Sequence, residues 1–163
     1  MLVDNGYETI AITRTLSPPY EDVPAWHKVD RVLLDREKDP EFIRKLKEMK
    51  PDIIVDLVNF NIEETEKIVK GFCESQLSHY LYCSFCWAHG MAETIPFDPD
   101  DLRKEPLDNY GQDKLASEIY LKEPYQQNGF PATIIMPKQI SGPDDYQPVG
   151  KYLHASIPGY CRR

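Results

Sequence analysis

The 163 residues carry 19 Lys and Arg against 27 Asp and Glu, a formal net charge of −8, with 41% hydrophobic and 28% charged residues. That balance belongs to a globular chain, too apolar for intrinsic disorder and too charged for a membrane-embedded protein. A chain of this length buries roughly 70% of its unfolded surface as one domain without needing disulfides or a structural metal, and an isoelectric point near 5.0 argues against nucleic acid as a partner.

The longest apolar stretches are strand-sized, far short of the roughly 20 residues that span a bilayer, so no membrane partner is expected. Residues 1–6 show neither the basic nor the apolar region of a secretory signal, which makes the cytoplasm the expected location. There Cys73, Cys83, Cys86 and Cys161 read as reduced thiols rather than a disulfide framework.

In chain order, Asn5-Gly6 reads as a turn or helix stop, and alternation predicts a strand over 8–14. A Pro-rich loop over 17–24 follows, then a short buried strand over 31–35. Asp39 as N-cap and Pro40 at the first helical position predict a helix whose apolar face is Phe42, Ile43, Leu46 and Met49. Residues 53–58 are nearly continuous in β-formers, as in a parallel strand covered on both faces. Asn61 is expected to cap a helix reaching about Phe72, and a strand is predicted over 79–84. After a long loop over 86–107 come a helix over 110–127, which Pro124 should kink or end near Glu123, and a strand over 132–136. Strand and helix alternate, so the expected fold class is α/β, a doubly wound parallel sheet with helices on both faces. The last stretch, 141–163, has little periodicity.

Chemistry concentrates at Tyr110-Gly111-Gln112-Asp113-Lys114. A Tyr and a Lys four apart at a helix start share one face. A nearby ammonium favours the phenolate, which would bring proton exchange with a substrate hydroxyl within reach. The same spacing also describes an ordinary solvated helix face.

The order of pieces resembles the extended short-chain dehydrogenase/reductases, the NAD-dependent epimerase/dehydratases. The similarity runs from about Asn5 to Pro143: Asn5-Gly6-Tyr7-Glu8 before a strand ending Thr13-Arg14, Asp35 after the next, and 51–56 as the family's fourth strand. It continues with 80–84 as the fifth, the Tyr110–Lys114 motif opening a helix, and Ile140-Ser141-Gly142-Pro143 after the sixth. The resemblance implies a Rossmann-like domain over 1–143, with 144–163 a tail or remnant of a substrate-binding region. It implies hydride transfer between NAD or NADP and a carbinol of a sugar-nucleotide-like substrate, with Tyr110 as acid/base. Lys114 would bind the nicotinamide ribose and lower the Tyr pKa, Asp35 would approach the adenine, and Asn59 or Phe60 would line the cofactor crevice. Arg14 would sit beside the adenosine ribose, where a cation favours NADP over NAD.

Departures from the pattern point elsewhere. Only four residues precede Asn5, so the family's first strand and glycine-rich phosphate loop are expected to be missing. The substrate-binding Ser or Thr of relatives falls five positions before Gly90, which here is Phe85; Ser84, one residue earlier, is the remaining hydroxyl candidate but belongs to the opposite face of a strand. Met136-Pro137 stands where relatives commonly have Arg-Pro. The chain thus reads as truncated at both ends, and two functions stay open: an NAD(P)-dependent epimerase/dehydratase-like or reductase-like enzyme, or a catalytically inactive Rossmann-like remnant acting through another chain. Exposed sheet edges would make it a homo-oligomer or leave it marginally soluble.

Cys83-Ser84-Phe85-Cys86 has redox or zinc spacing, with His79 and His89 nearby, but strand alternation scatters these side chains, and core thiols with no metal are expected. His89 reads as a loop histidine bonded to backbone or as a substrate contact. The acidic run 98–101 reads as a solvated loop or helix cap rather than a cation site, and Asp56 and Glu105 have no partner that sequence names.

Overall fold

A computed structural model describes residues 2–15, 23–91, 98 and 104–138. These separate into two compact units, the first running to Asp35 and the second covering Arg36–Lys138. The expected boundary at 143/144 and the Ser141-Gly142-Pro143 motif lie outside the described residues.

In the first unit, a 3-10 turn at Val3–Asn5 is closed by Gly6, whose amide donates to the Val3 carbonyl at 3.2 Å. Strand β1, Ile10–Thr13, pairs in parallel with β2, Asp30–Leu33, with Ile10 opposite Asp30. Between them Pro24–Lys28 forms another 3-10 turn, entered through Pro24.

The second unit is built on β3 (Ile53–Asp56), β4 (His79–Cys83) and β5 (Ala132–Ile135), all parallel in the order β3-β4-β5. Its helices are α1 (Phe42–Glu48), α2 (Ile62–Phe72) and α3 (Asn109–Asn128). Asn61 caps α2 by accepting from the Glu64 amide at 2.9 Å. Asp39 bonds the Glu41 amide at 2.9 Å, so the first turn of α1 starts two residues later than the Asp39-Pro40 signal suggests. Pro124 neither ends nor breaks α3, a correction to the sequence expectation. It stands in the penultimate turn, and its carbonyl accepts the Phe130 amide at 3.2 Å while the Tyr125 carbonyl takes that of Gly129 at 3.0 Å. Gly129 adopts φ +67°, a left-handed conformation that glycine enters without a Cβ penalty. This closure turns Phe130 inward, 2% exposed, with its ring 5.9 Å from Tyr80.

Alternation along β4 buries Tyr80 and Tyr82 completely, together with Ile68, Val69 and Phe72 of α2 and Leu121 of α3. Register places Ile54 and Asp56 on the face of Tyr80 and Tyr82, and Ile53 and Val55 with His79 and Leu81 on the other. Among the described residues the β3 part of that second row is left half-exposed: Ile53 and Val55 are 48% and 47% exposed, and Leu57, which follows the strand, is 61% exposed. The run 53–58 therefore has the composition of a doubly covered strand, yet α2 and α3 of this unit pack only the other face.

Burial raises the pKa of Tyr80 and of Tyr82 well above the ordinary tyrosine value, with the Asp56 charge adding to the effect at Tyr80 and that of Glu118 at Tyr82. The unfolded phenols ionise near pH 10 while the folded ones keep their protons. The native state then binds more protons and loses stability as pH rises, by about 1.4 kcal/mol per pH unit for each ring. Lys114, whose pKa burial lowers, acts with the opposite sign just below pH about 10.4 and no longer above it. Urea midpoints should fall steeply between pH about 10 and about 11.5, less so in Tyr80→Phe; a flat profile would refute this account.

Candidate active site

Asp108 starts α3 by accepting from the Gly111 amide at 2.7 Å. A Cβ on Gly111 would stand 2.7 Å from the Trp87 carbonyl oxygen, so glycine is what allows the first turn of α3 to lie against the 3-10 turn Cys86–Ala88 that follows β4. This approach sets Tyr110 beside Phe85, with ring centroids 6.0 Å apart, and beside Phe60 at 6.2 Å. Tyr110 keeps 37% of its surface exposed.

One turn further along, Lys114 is buried. Its Nζ donates to the Asn59 carbonyl at 2.5 Å and to the Cys83 carbonyl at 2.7 Å, which ties α3 to the carboxyl ends of β3 and β4. The ammonium lies 5.0 Å from the Tyr82 ring centroid, 5.6 Å from Tyr110 and 5.7 Å from Phe60. Electron-rich ring faces and two carbonyls thus replace water around the charge. Burial lowers the Lys114 pKa all the same. Tyr110 moves up, through partial burial and the neighbouring Cys83 and Asp108. The sequence expectation that Lys114 lowers the phenol's pKa therefore meets a different balance: the ammonium is engaged by backbone carbonyls, and desolvation prevails at the phenol.

The expected residues divide cleanly. Tyr110, Lys114, Asn59 and Phe60 come together. Ser84 does not join them: its hydroxyl donates to Glu118 of α3, in a cluster where Lys104 Nζ meets the other Glu118 oxygen at 2.7 Å and His89 Nε2 lies 3.7 Å away. Strand parity is the reason, since Ser84 continues the inward row of Tyr80 and Tyr82, and Phe85 takes the place beside Tyr110. His89 Nε2 also lies 2.7 Å from the Met136 sulfur. Arg14 is exposed just after β1 and Asp35 half-buried just after β2, both in the first unit. Cys83 and Cys86 are free thiols, and no group of three metal-binding side chains occurs among the described residues.

Sequence reasoning missed Arg36. Its guanidinium forks onto Asp56, 2.7 Å to Oδ1 and 3.2 Å to Oδ2, and also reaches Glu64 at 2.6 Å and the Val58 carbonyl at 2.7 Å. Asp56 further accepts from Tyr80 at 2.8 Å and Asn59 at 3.2 Å. Burial works against the Arg36 charge, and the two carboxylates outweigh it, so its pKa is raised. The network fixes the turn that carries Asn59 and Phe60. The one sequence signal was an Asp inside an otherwise apolar strand.

A parallel α/β unit with a Tyr and a Lys converging at the carboxyl ends of its strands has the architecture of Rossmann-like proteins. The chain belongs to the NAD dependent epimerase/dehydratase family, which it matches over residues 1–160. It superposes on the UDP-glucuronic acid 4-epimerase of Bacillus cereus in complex with NAD with a TM-score of 0.71 at 17% identity, covering 91% of this chain and 53% of that one. On the UDP-glucose 4-epimerase of Brucella ovis in complex with NAD the TM-score is 0.66 at 16% identity, covering 83% and 45%. An uncharacterized protein, y4nG of Sinorhizobium fredii (strain NBRC 101917 / NGR234), is 28% identical over 82 residues, 50% of this chain and 20% of that protein. The chain thus spans about half the length of these solved structures and a fifth of that curated relative. No described helix is long and apolar enough to cross a membrane.

The residues present fit one end of a dinucleotide. Tyr110, Phe60 and the Asn59 turn form an open, partly aromatic surface over a fixed cation.

Proposed function

We propose that this chain forms the reacting half of an epimerase/dehydratase-type site, in which Tyr110 exchanges a proton with the carbinol or carbonyl oxygen of a sugar-nucleotide-like substrate. The observation that carries this is the pairing of Tyr110 and Lys114 one helical turn apart, with the ammonium 5.6 Å from the phenol ring, where β3 and β4 end. A nicotinamide, when bound, supplies hydride chemistry. The chain's own part is the proton: with its pKa raised, Tyr110 is protonated at neutral pH and is set to donate to a carbonyl oxygen. Accepting a proton from a carbinol requires the phenolate, so that direction is favoured as pH rises toward about 10. Lys114 holds the floor of the site rigid and positively charged, and Asn59 and Phe60 line it. Family likeness adds Asp35 toward an adenine and Arg14 toward the adjoining ribose. Arg14 favours NADP, and the NAD-bound relatives favour NAD.

A second function, a catalytically silent Rossmann-like chain acting by association with another, is supported by Phe85 in place of a hydroxyl. Calorimetric titration with NADH and NADPH separates the two. The enzyme is expected to bind one of them at micromolar concentration, and Tyr110→Phe to retain that binding while losing turnover of UDP-glucose by about 100-fold or more. No heat up to millimolar cofactor, from a chain shown to be folded by circular dichroism, would eliminate the free-standing enzyme.

A further inference from the structure

Four aromatic rings run in sequence beside the Tyr110 hydroxyl. Phe60 lies 6.2 Å from Tyr110, Tyr110 6.0 Å from Phe85, and Phe85 5.2 Å from Trp87, each pair tilted by 49–56°. These rings are not core: Phe60, Tyr110 and Trp87 are 44%, 37% and 45% exposed, while Tyr80 and Tyr82 of the neighbouring strand are fully buried. Leu107, whose amide bonds the Trp87 carbonyl at 3.4 Å, is 51% exposed and extends the apolar rim. The Ser84 hydroxyl, one residue past β4, does not reach this row, because it is committed to Glu118.

We propose that Phe60, Phe85 and Trp87 form a recognition surface for a planar π-ring on the ligand, stacked beside the group that Tyr110 protonates. Exposed aromatic rings gain both apolar burial and quadrupole complementarity from a second ring, in offset or edge-to-face geometry. A further sugar hydroxyl seated against Phe85 would instead lose water on that side, and the one hydroxyl of the four rings, that of Tyr110, is taken up by the reacting oxygen. Such a surface therefore selects a ring over a polyol, by about 100-fold where the hydroxyl is fully buried and proportionately less where it stays wet. The ring could belong to an aryl carbinol or to the base of a nucleotide, and both present the same flat π-face. The inference uses the proposed function only to mark Tyr110 as the reacting end, and the surface itself requires no cofactor.

Ligand-observed saturation-transfer NMR on the full chain, without cofactor, tests the surface with benzyl alcohol, uridine and methyl glucoside at equal millimolar concentrations. Transfer to ring protons of benzyl alcohol, of uridine or of both is expected, with little to methyl glucoside, and the stronger of the first two names the source of the ring. Trp87→Ala removes an exposed side chain and should leave folding intact while cutting that transfer severalfold. Phe85→Ser should cut it as well and raise that of methyl glucoside. Equal or stronger transfer to methyl glucoside, no transfer to either ring compound, or unchanged transfer in Trp87→Ala would each overturn the proposal. Because nothing here depends on NADH or NADPH, ring binding with a silent calorimetric titration would leave this surface standing and remove the oxidoreductase, and the reverse result would do the opposite.

Discussion

Asp56→Ala is expected to lower the free energy of unfolding by about 3 kcal/mol, the largest stability loss among single substitutions near the site. Asp56 and Arg36 have side chains only 7% and 15% exposed, so removing the carboxylate strands a guanidinium that water reaches poorly. Tyr80 and Asn59 lose an acceptor in the same step, and each buried donor left without one carries its own penalty. Glu64 still engages Arg36, which keeps the loss below that of an isolated buried charge. Asp56→Asn preserves the shape and one acceptor and should cost roughly half as much. Urea denaturation of the three proteins checks this, and a loss below about 1 kcal/mol for Asp56→Ala would show that the network is not stabilising the turn.

Glu118→Ala should be the second large effect, at about 2 to 3 kcal/mol. The Glu118 side chain is 2% exposed and Lys104 9%, so an ammonium and the Ser84 hydroxyl lose their shared acceptor where solvent cannot replace it. Glu118→Gln keeps an oxygen for one of them and fills the same volume, and should be markedly milder. If Glu118→Ala and Glu118→Gln shifted the urea midpoint equally, charge rather than an orphaned partner would govern the site.

Much of the second unit was legible because its signals are local. The Asn61 cap and the β-former runs 53–58 and 132–136, which hold β3 and β5, each depend on a few consecutive residues. Pro124 was misread because a helix interior and a penultimate turn look alike until the Gly129 closure is seen to reuse the Pro124 carbonyl. The Tyr110 and Lys114 pairing was readable from helical spacing, and the turning of Ser84 to the face opposite Phe85 from strand parity. What Lys114 touches was not, because the Asn59 and Cys83 carbonyls lie 55 and 31 positions away. The Arg36 fork was hidden for the same reason, its partners being 20 and 28 positions distant. Nor could the exposed row of Ile53 and Val55 be foreseen, since composition reports what a strand tolerates and not what covers it.

The two carbonyl bonds of Lys114 also bear on how this unit opens. One N–H of its ammonium closes a loop back to the end of β3 and another to the end of β4, so neither bond can be released without leaving the ammonium under-solvated in a dry space. Fraying at one strand end then exposes the charge to the cost that the other end had been sharing. The last residues of β3, the last residues of β4 and the first half of α3 are thereby tied to one charge, and their amide hydrogens are expected to exchange together rather than strand by strand.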